Sequence, residues 1–310
     1  MMLQLQFNDR VALSSCNRPV FAESDIRSLQ PESLAPLIST CEGRVLFSGC
    51  APCQPFSKQN RNLIRNDPRL NLLAEFGRFV AHWMPDFVFV ENVPGMQRDC
   101  MKSETFLNFT QLLSDLGYQY DAKIVQAQWF GVPQTRTRLV LLASKHGAIK
   151  IPAPVCGPGL NPYSTVREWI YDFPCLSAGD THPLDRDHAT MKLSPLNIER
   201  ISHTPEGRGR ECWPEELLLD CHKGYKGHSD VYGRLAWDRP AVGLTTKCIS
   251  YSNGRFGHPE QHRALSLREA ASLQTFPRDF KFSGSLMSKA RQVGNAVPPL
   301  MAQALGQAFC

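Results

Sequence analysis

The chain has 310 residues, is 42% hydrophobic and 20% charged, and carries a net charge of +5. That length accommodates one large globular domain, or one with a smaller insert, and the composition excludes wholesale disorder. No apolar run approaches the roughly 18 residues a membrane helix needs. MMLQLQFNDR lacks the basic flank and long apolar stretch of a secretion signal, so a cytoplasmic protein is expected. Its 11 cysteines, odd in number and scattered, read as free thiols in that compartment. The mild positive charge favours a polyanionic partner, weakly.

In chain order, VLFSG (45–49) predicts a short buried strand ending at glycine. RLNLLAEFGRFVAH (69–82) has apolar residues at helical spacing. FVFV (87–90) predicts a strand that stops abruptly at Glu91-Asn92-Val93-Pro94. A helix over about 104–116 and strands near 123–128 and 138–143 follow. Strands alternating with helices indicate an α/β layered fold with a largely parallel sheet. Residues 152–236 then change texture, being rich in Pro, Gly, His and Asp with little periodicity, and read as a small irregular domain. LSLREAASL (265–273) predicts a helix, and GNAVPPLMAQALGQAF a turn followed by a helix opened by Pro298-Pro299.

In open α/β sheets, ligands bind at the carboxyl ends of the strands. Two predicted strands end there in reactive groups: VLFSG runs into Cys50 and Cys53, and FVFV into Glu91. A structural zinc site needs four ligands, and no second Cys-x-x-Cys exists; no metal is expected. A redox pair should open a helix, which Pro55 and the polar stretch after it do not suggest. An inert buried cysteine is the remaining plain reading. Against it stand a neighbouring acid, Glu91, and two arginines, Arg136 and Arg138, which alternate in QTRTR and so would point the same way on an extended strand. A nucleophilic thiol needs such company.

These residues carry a resemblance. SGCAPCQPFS, ENVPGM, QTRTRLVLLAS, RLAWDRPAVGLTTKC, HPEQHRALSLREAASLQTFP and RQVGNAVPPLMAQALG occur in the chain order of the DNA cytosine-C5 methyltransferases. The similarity runs from about residue 20 to the C-terminus. It implies an S-adenosylmethionine-dependent, Rossmann-like methyltransferase sheet and a small irregular target-recognition domain. It assigns to Cys53 the thiolate that adds to cytosine C6, and to Glu91 the contact with N3 and the exocyclic amine. A carboxyl group that donates at neutral pH needs burial or a neighbouring anion. Arg136 would touch the flipped base, Arg138 steady the site, and Asn92 brace the loop bearing Cys53. Asp25 and Ile26, with Pro52 and Leu72, resemble the adenine end of the cofactor site; Asn295 and Ala296 resemble its methionine end. The base must leave the duplex to reach such a site. The polar loop 57–69 resembles the one that closes over DNA.

The expected organisation is a catalytic domain over 1–152, target recognition over 153–236, and a return to the catalytic domain over 237–310. Residues 156–236 hold 9 Lys and Arg against 12 Asp and Glu, so neutralisation of phosphates relies on local arrangement or on the catalytic domain. The length resembles bacterial restriction-modification enzymes, implying double-stranded DNA as partner and a place at the nucleoid. The pattern departs in one respect. The family opens with a strand and a Phe-x-Gly-x-Gly turn that cradles the cofactor, and this sequence has no such turn. The expectation is therefore a sheet lacking its first strand, with two unpaired edges. Three sources of that strand stay open: a truncated or misassigned start, a second polypeptide, or MMLQLQF itself. The rival reading is a DNA-binding fragment without catalysis, or one subunit of a split enzyme; methylation of RNA is a third. Gly243 stands where the family more often has Thr, which predicts a looser junction with the recognition region.

Overall fold

A computed structural model describes the backbone of residues 2–6, 10–14 and 19–22, and residues 24–50, 72–94, 104–223 and 230–310 with their side chains. The chain divides into two compact units: Met1–Val125, Thr137–Ala153 and Ala304–Cys310 form the first, Gln126–Arg136 and Pro154–Gln303 the second. Residues 237–303 thus group with 154–236 in this division.

The strands are Met2–Gln6 (β1), Arg10–Ser14 (β2), Pro19–Ala22 (β3), Leu46–Gly49 (β4), Phe87–Asn92 (β5), Gln119–Gln126 (β6), Gln134–Thr135 (β7), Thr137–Ser144 (β8) and Ala241–Val242 (β9). The first unit is built on a seven-stranded sheet of order β3-β2-β1-β4-β5-β8-β6. β1 pairs in parallel with β4, and β4 with β5. The sheet is therefore mixed rather than largely parallel: β5 pairs antiparallel with β8, and β1, β2 and β3 form antiparallel hairpins. The links 7–9 and 15–18 are too short for a parallel crossover, which takes about a dozen residues.

The expected gap beside β4 is filled. β1 pairs with β4 in parallel, Met2 opposite Leu46 through Leu5 opposite Gly49. The alternation of apolar and polar residues in MLQLQ suits a strand, and Met2–Gln6 occupies that place. Neither β1 nor β4 presents the unpaired edge expected there.

Helical spacing puts one apolar face of each crossover helix onto this sheet. Short Ala35–Ile38 (α1) precedes β4. Leu72–Trp83 (α2) buries Leu72, Leu73, Phe76, Phe79 and Val80, and Glu104–Asp115 (α3) buries Phe106, Phe109 and Leu113. These pack with Phe47, Val88, Val90, Leu139 and Leu141 in one apolar cluster. At roughly 25 cal/mol per Å² of apolar surface removed from water, such a cluster is the main stabiliser of the unit.

The second unit has Val166–Ile170 (α4), Pro195–Ser202 (α5), Leu267–Leu273 (α6), Leu286–Asn295 (α7) and the start of Pro299–Gly306 (α8). Helix α6 opens with a capping box, Ser266 and Glu269 each bonding the other's backbone N–H. Between 154 and 236 the described residues make short helices and turns with isolated bridges. Carbonyls that have no ladder must find other donors. Buried Arg234 supplies four: its guanidinium donates to the carbonyls of Ile201, Thr204, His258 and Gln261 at 2.6–2.9 Å.

Candidate active site

Cys53 and Pro52 lie outside the described residues, as does the 57–69 loop. What the structure places is the ground on which they stand. Gly49, the last residue of β4, is opposite Val90 of parallel β5. The chain therefore leaves β4 level with Glu91, at the shared carboxyl edge, and reaches Cys53 soon after. Glu91 and Asn92 are the last two residues of β5 itself, two positions further along the strand than the apolar run suggests.

Glu91 is buried, 4% exposed. Arg138 Nε stands 2.7 Å from its Oε1. The pair follows from register: β8 runs antiparallel to β5 with Val140 opposite Glu91, so Arg138, two residues earlier, lies on the same face. The contact is one of opposite charges without an aligned hydrogen bond at Oε1, and Arg138 Nη1 donates instead to the carbonyl of Thr137 at 2.7 Å. Asn92 is buried, and its Oδ1 accepts from Val93 N at 2.8 Å, holding the bend where the strand ends.

The continuous alternation expected through QTRTR is broken. Gln134–Thr135 pairs with Ala241–Val242 in a separate two-stranded sheet, and β8 begins only at Thr137. The two arginines consequently have different partners. Arg136 is buried and donates from Nη1 to the Leu244 carbonyl at 2.8 Å and from Nη2 to the Gly294 carbonyl at 3.2 Å. It ties the segment after β9 to the end of α7. Leu244, the residue after Gly243, is held at its carbonyl by Arg136 and at its N–H by Gln134 Oε1, 2.9 Å away.

Of the expected cofactor residues, Ile26 and Leu72 are buried in the same apolar cluster of the first unit. Asp25 opens a turn, its carbonyl accepting from Ser28 N and Leu29 N. Its carboxylate closes on Arg27, whose hydrogen bonds hold it below the usual carboxylate range. Asn295 ends α7, and Ala296 follows it with its N–H on the Gln292 and Val293 carbonyls. Sequence reasoning missed three residues that shape this end. Gln134 and Gln274 are wholly buried and bonded to each other, Nε2 to Oε1 at 2.6 Å. A Cβ on Gly294 would come within 2.2 Å of the Thr245 backbone.

A buried acid paired with an arginine at the carboxyl edge of an α/β sheet, beside the strand that leads to a Pro-Cys-Gln step, makes this edge the candidate site. A family model for the C-5 cytosine-specific DNA methylases matches residues 12–310. The chain is 41% identical over 306 residues to the Type II methylase M.HgiDII of Herpetosiphon aurantiacus, covering 97% of this chain and 85% of that protein. It is 35% identical over 289 residues to the Type II methyltransferase M1.HphI of Haemophilus parahaemolyticus, covering 92% and 73%. Among solved structures, a prophage-encoded DNA modification methyltransferase from E. coli superposes with a TM-score of 0.69 at 22% identity, over 93% of this chain and 84% of that one. The methyltransferase EhMeth of Entamoeba histolytica does so with 0.59 at 15% identity, over 94% and 83%. These two likenesses show the fold.

The chain belongs to the C-5 cytosine-specific DNA methylase family. It is a DNA (cytosine-5-)-methyltransferase, and its methyl donor is S-adenosylmethionine. The residues present fit that donor. β1, β4 and β5 share one carboxyl edge, where α/β sheets bind nucleotide-like ligands. Ser48 Oγ, one residue from the end of β4, is buried with no hydrogen-bond partner among the described residues. No helix among the described residues is long and apolar enough to cross a membrane.

Proposed function

We propose that the chain methylates C5 of a cytosine within one specific double-stranded sequence, as a restriction-modification methylase, with Cys53, Glu91, Asn92, Arg136 and Arg138 at the reacting base. The printed names of its bacterial relatives, Type II methylases, support that setting. Sequence is read by residues 153–236, whose loop-built backbone suits the major groove and its distinguishable base edges. The buried Glu91–Arg138 pair carries the reading, because it places a fixed carboxyl group beside the chain that leads to Cys53.

Cytosine C5 is a weak nucleophile. When the Cys53 thiolate adds to C6, the electron pair of the C5–C6 double bond moves toward C5, and Glu91 stabilises the ring at N3 and at the exocyclic amine. S-adenosylmethionine would supply an electrophilic methyl group, with Asp25, Ile26, Pro52 and Leu72 holding its adenine end and Asn295 and Ala296 its methionine end. After C5 is methylated a base removes its proton, the C5–C6 double bond re-forms, and the Cys53 sulfur leaves. Arg138 holds Glu91 for this work. Arg136 braces the segments at Leu244 and Gly294, and its contact with the flipped base is part of the same proposal.

Expression in a methylation-free host followed by bisulfite sequencing tests this. The expected result is 5-methylcytosine at one recurring motif, absent with Cys53→Ala. A soluble wild-type chain that leaves host DNA unmethylated would reject it.

A further inference from the structure

The link from α7 to α8 is short of backbone donors. Pro298 and Pro299 have no N–H, so the turn cannot tie itself with its own ladder. Yet the Ala296 carbonyl before them and the Leu300 N–H after them both have partners, supplied by two consecutive residues that follow α6. Gln274 Nε2 donates to Ala296 O at 2.6 Å, and Thr275 Oγ1 accepts from Leu300 N at 3.1 Å.

Both clamp residues are themselves held. Gln274 is fully buried, and Gln134 Nε2 donates to its Oε1 at 2.6 Å. That bond fixes which end of the Gln274 amide faces Ala296. Gln134 in turn accepts from Leu244 N, and Arg136 bonds the Leu244 and Gly294 carbonyls. Thr275 has φ +67°, in the left-handed region that β-branched residues avoid. Such strain persists only where the surroundings impose it, and it clusters at functional positions. Here the strained backbone aims the hydroxyl at Leu300.

We propose that Gln274 and Thr275 are positioning residues for the methyl donor: by clamping Ala296 and Leu300 they set the Asn295–Ala296 turn in the shape that receives the methionine end of S-adenosylmethionine. The inference rests on the assignment of Asn295 and Ala296 to that end. Neither Gln274 nor Thr275 touches the reacting atoms; each acts through the turn.

Thr275→Val keeps the β-branch and removes only the hydroxyl, whereas Thr275→Ser keeps the hydroxyl. S-adenosylhomocysteine affinity by calorimetry and steady-state methylation of DNA are measured on the full chain. Thr275→Val should weaken S-adenosylhomocysteine binding and raise KM for S-adenosylmethionine by roughly five- to ten-fold, the order of one hydrogen bond. kcat and KM for DNA should stay within about two-fold, the pattern of lost ground-state binding, and Thr275→Ser should behave as wild type. Gln274→Met should show the larger effect in the same direction; if it fails to fold, the Thr275 pair decides alone. Unchanged S-adenosylhomocysteine affinity in Thr275→Val, even with a lowered melting temperature, would overturn the inference and leave the functional reading standing. If the wild type binds but Asn295→Ala binds equally well, the assignment of the turn fails and takes the inference with it. A wild-type chain that binds no S-adenosylhomocysteine would sink the functional reading and the inference together.

Discussion

Arg138 Nε and Glu91 Oε1 are 2.7 Å apart, on neighbouring antiparallel strands and with little exposure on either side chain. Removing one partner of such a pair leaves the other charge desolvated and alone, at a cost of about 3–5 kcal/mol. Arg138→Ala should therefore cost both stability and rate, and Arg138→Lys should recover part of each, because an ammonium lacks the planar fork. Glu91→Gln preserves shape but loses the acid, and kcat should fall at least 100-fold. Urea denaturation beside single-turnover methylation separates the two losses. A Glu91→Gln variant with near-wild-type kcat would remove the carboxyl group from the mechanism.

The same pair shows what sequence can carry. FVFV stops at a charged residue, and Arg138 stands immediately before the apolar run LVLLA, so both ends of the ion pair are visible in short windows. The clamp around Gln274 is not. Its partner Gln134 is 140 residues away, and nothing in LQTFP distinguishes a buried amide from an exposed one. β1 was obscured for another reason: a strand of alternating Leu and Gln looks like many edges, and its place beside β4 depends on pairing partners over 40 residues later. Arg136 and Arg138 have different partners because a two-residue strand ends just before Arg136, and local periodicity does not reveal a change of sheet.

Gly294 and Gly243 predict opposite outcomes for the same substitution. A Cβ on Gly294 would lie 2.2 Å from the Thr245 carbonyl carbon and oxygen, backbone atoms with no room to yield. Gly294→Ala should destabilise the protein by about 3 kcal/mol or more and abolish methylation. At Gly243 the nearest atom to a Cβ is Thr135 O at 3.4 Å, ordinary contact. Gly243→Ala should hold or raise stability by up to about 1 kcal/mol, through lost freedom in the unfolded chain. Chemical denaturation of the two variants is the check, and equal effects would contradict the packing.

His258 makes the second unit sensitive to acid. It is 2% exposed, and its Nδ1 accepts from Glu260 N and Gln261 N at 3.1 and 3.0 Å, which requires a ring nitrogen without a proton. Burial is the main cause pushing its pKa down to about 4, with Arg263, Arg234 and His188 adding to the shift and Glu269 opposing it. A base with a depressed folded pKa contributes stability that is whole above its unfolded value, about 6.5, and is lost as pH falls toward about 4. The span corresponds to roughly 3 kcal/mol. Burial pulls Glu269 upward, but the Arg263 hydrogen bonds and charge outweigh it and hold its carboxyl low, so its contribution is lost in the same direction at lower pH. Stability should fall between pH 6.5 and 4, and His258→Gln should flatten that slope. An unchanged slope in the variant would show that His258 is not the group responsible.

The thiol itself is reached through the chemistry of its product. In the proposed sequence Cys53 is released only when a proton leaves C5. With 5-fluorocytosine at the target position, C5 carries fluorine instead, and fluorine does not depart as a cation. The C5–C6 double bond cannot re-form, and the bond from Cys53 Sγ to C6 should persist. Incubation with S-adenosylmethionine and a substituted duplex containing the methylated motif should yield a denaturant-stable protein–DNA adduct, with wild-type protein and not with Cys53→Ser. The adduct should require the cofactor, because before methyl transfer C5 can take up a proton or the thiol can simply reverse. Glu91→Gln should slow its formation in proportion to its loss of kcat, since both depend on stabilising the same ring. An adduct mapped by proteolysis to a cysteine other than Cys53 would move the nucleophile and with it the role of Glu91.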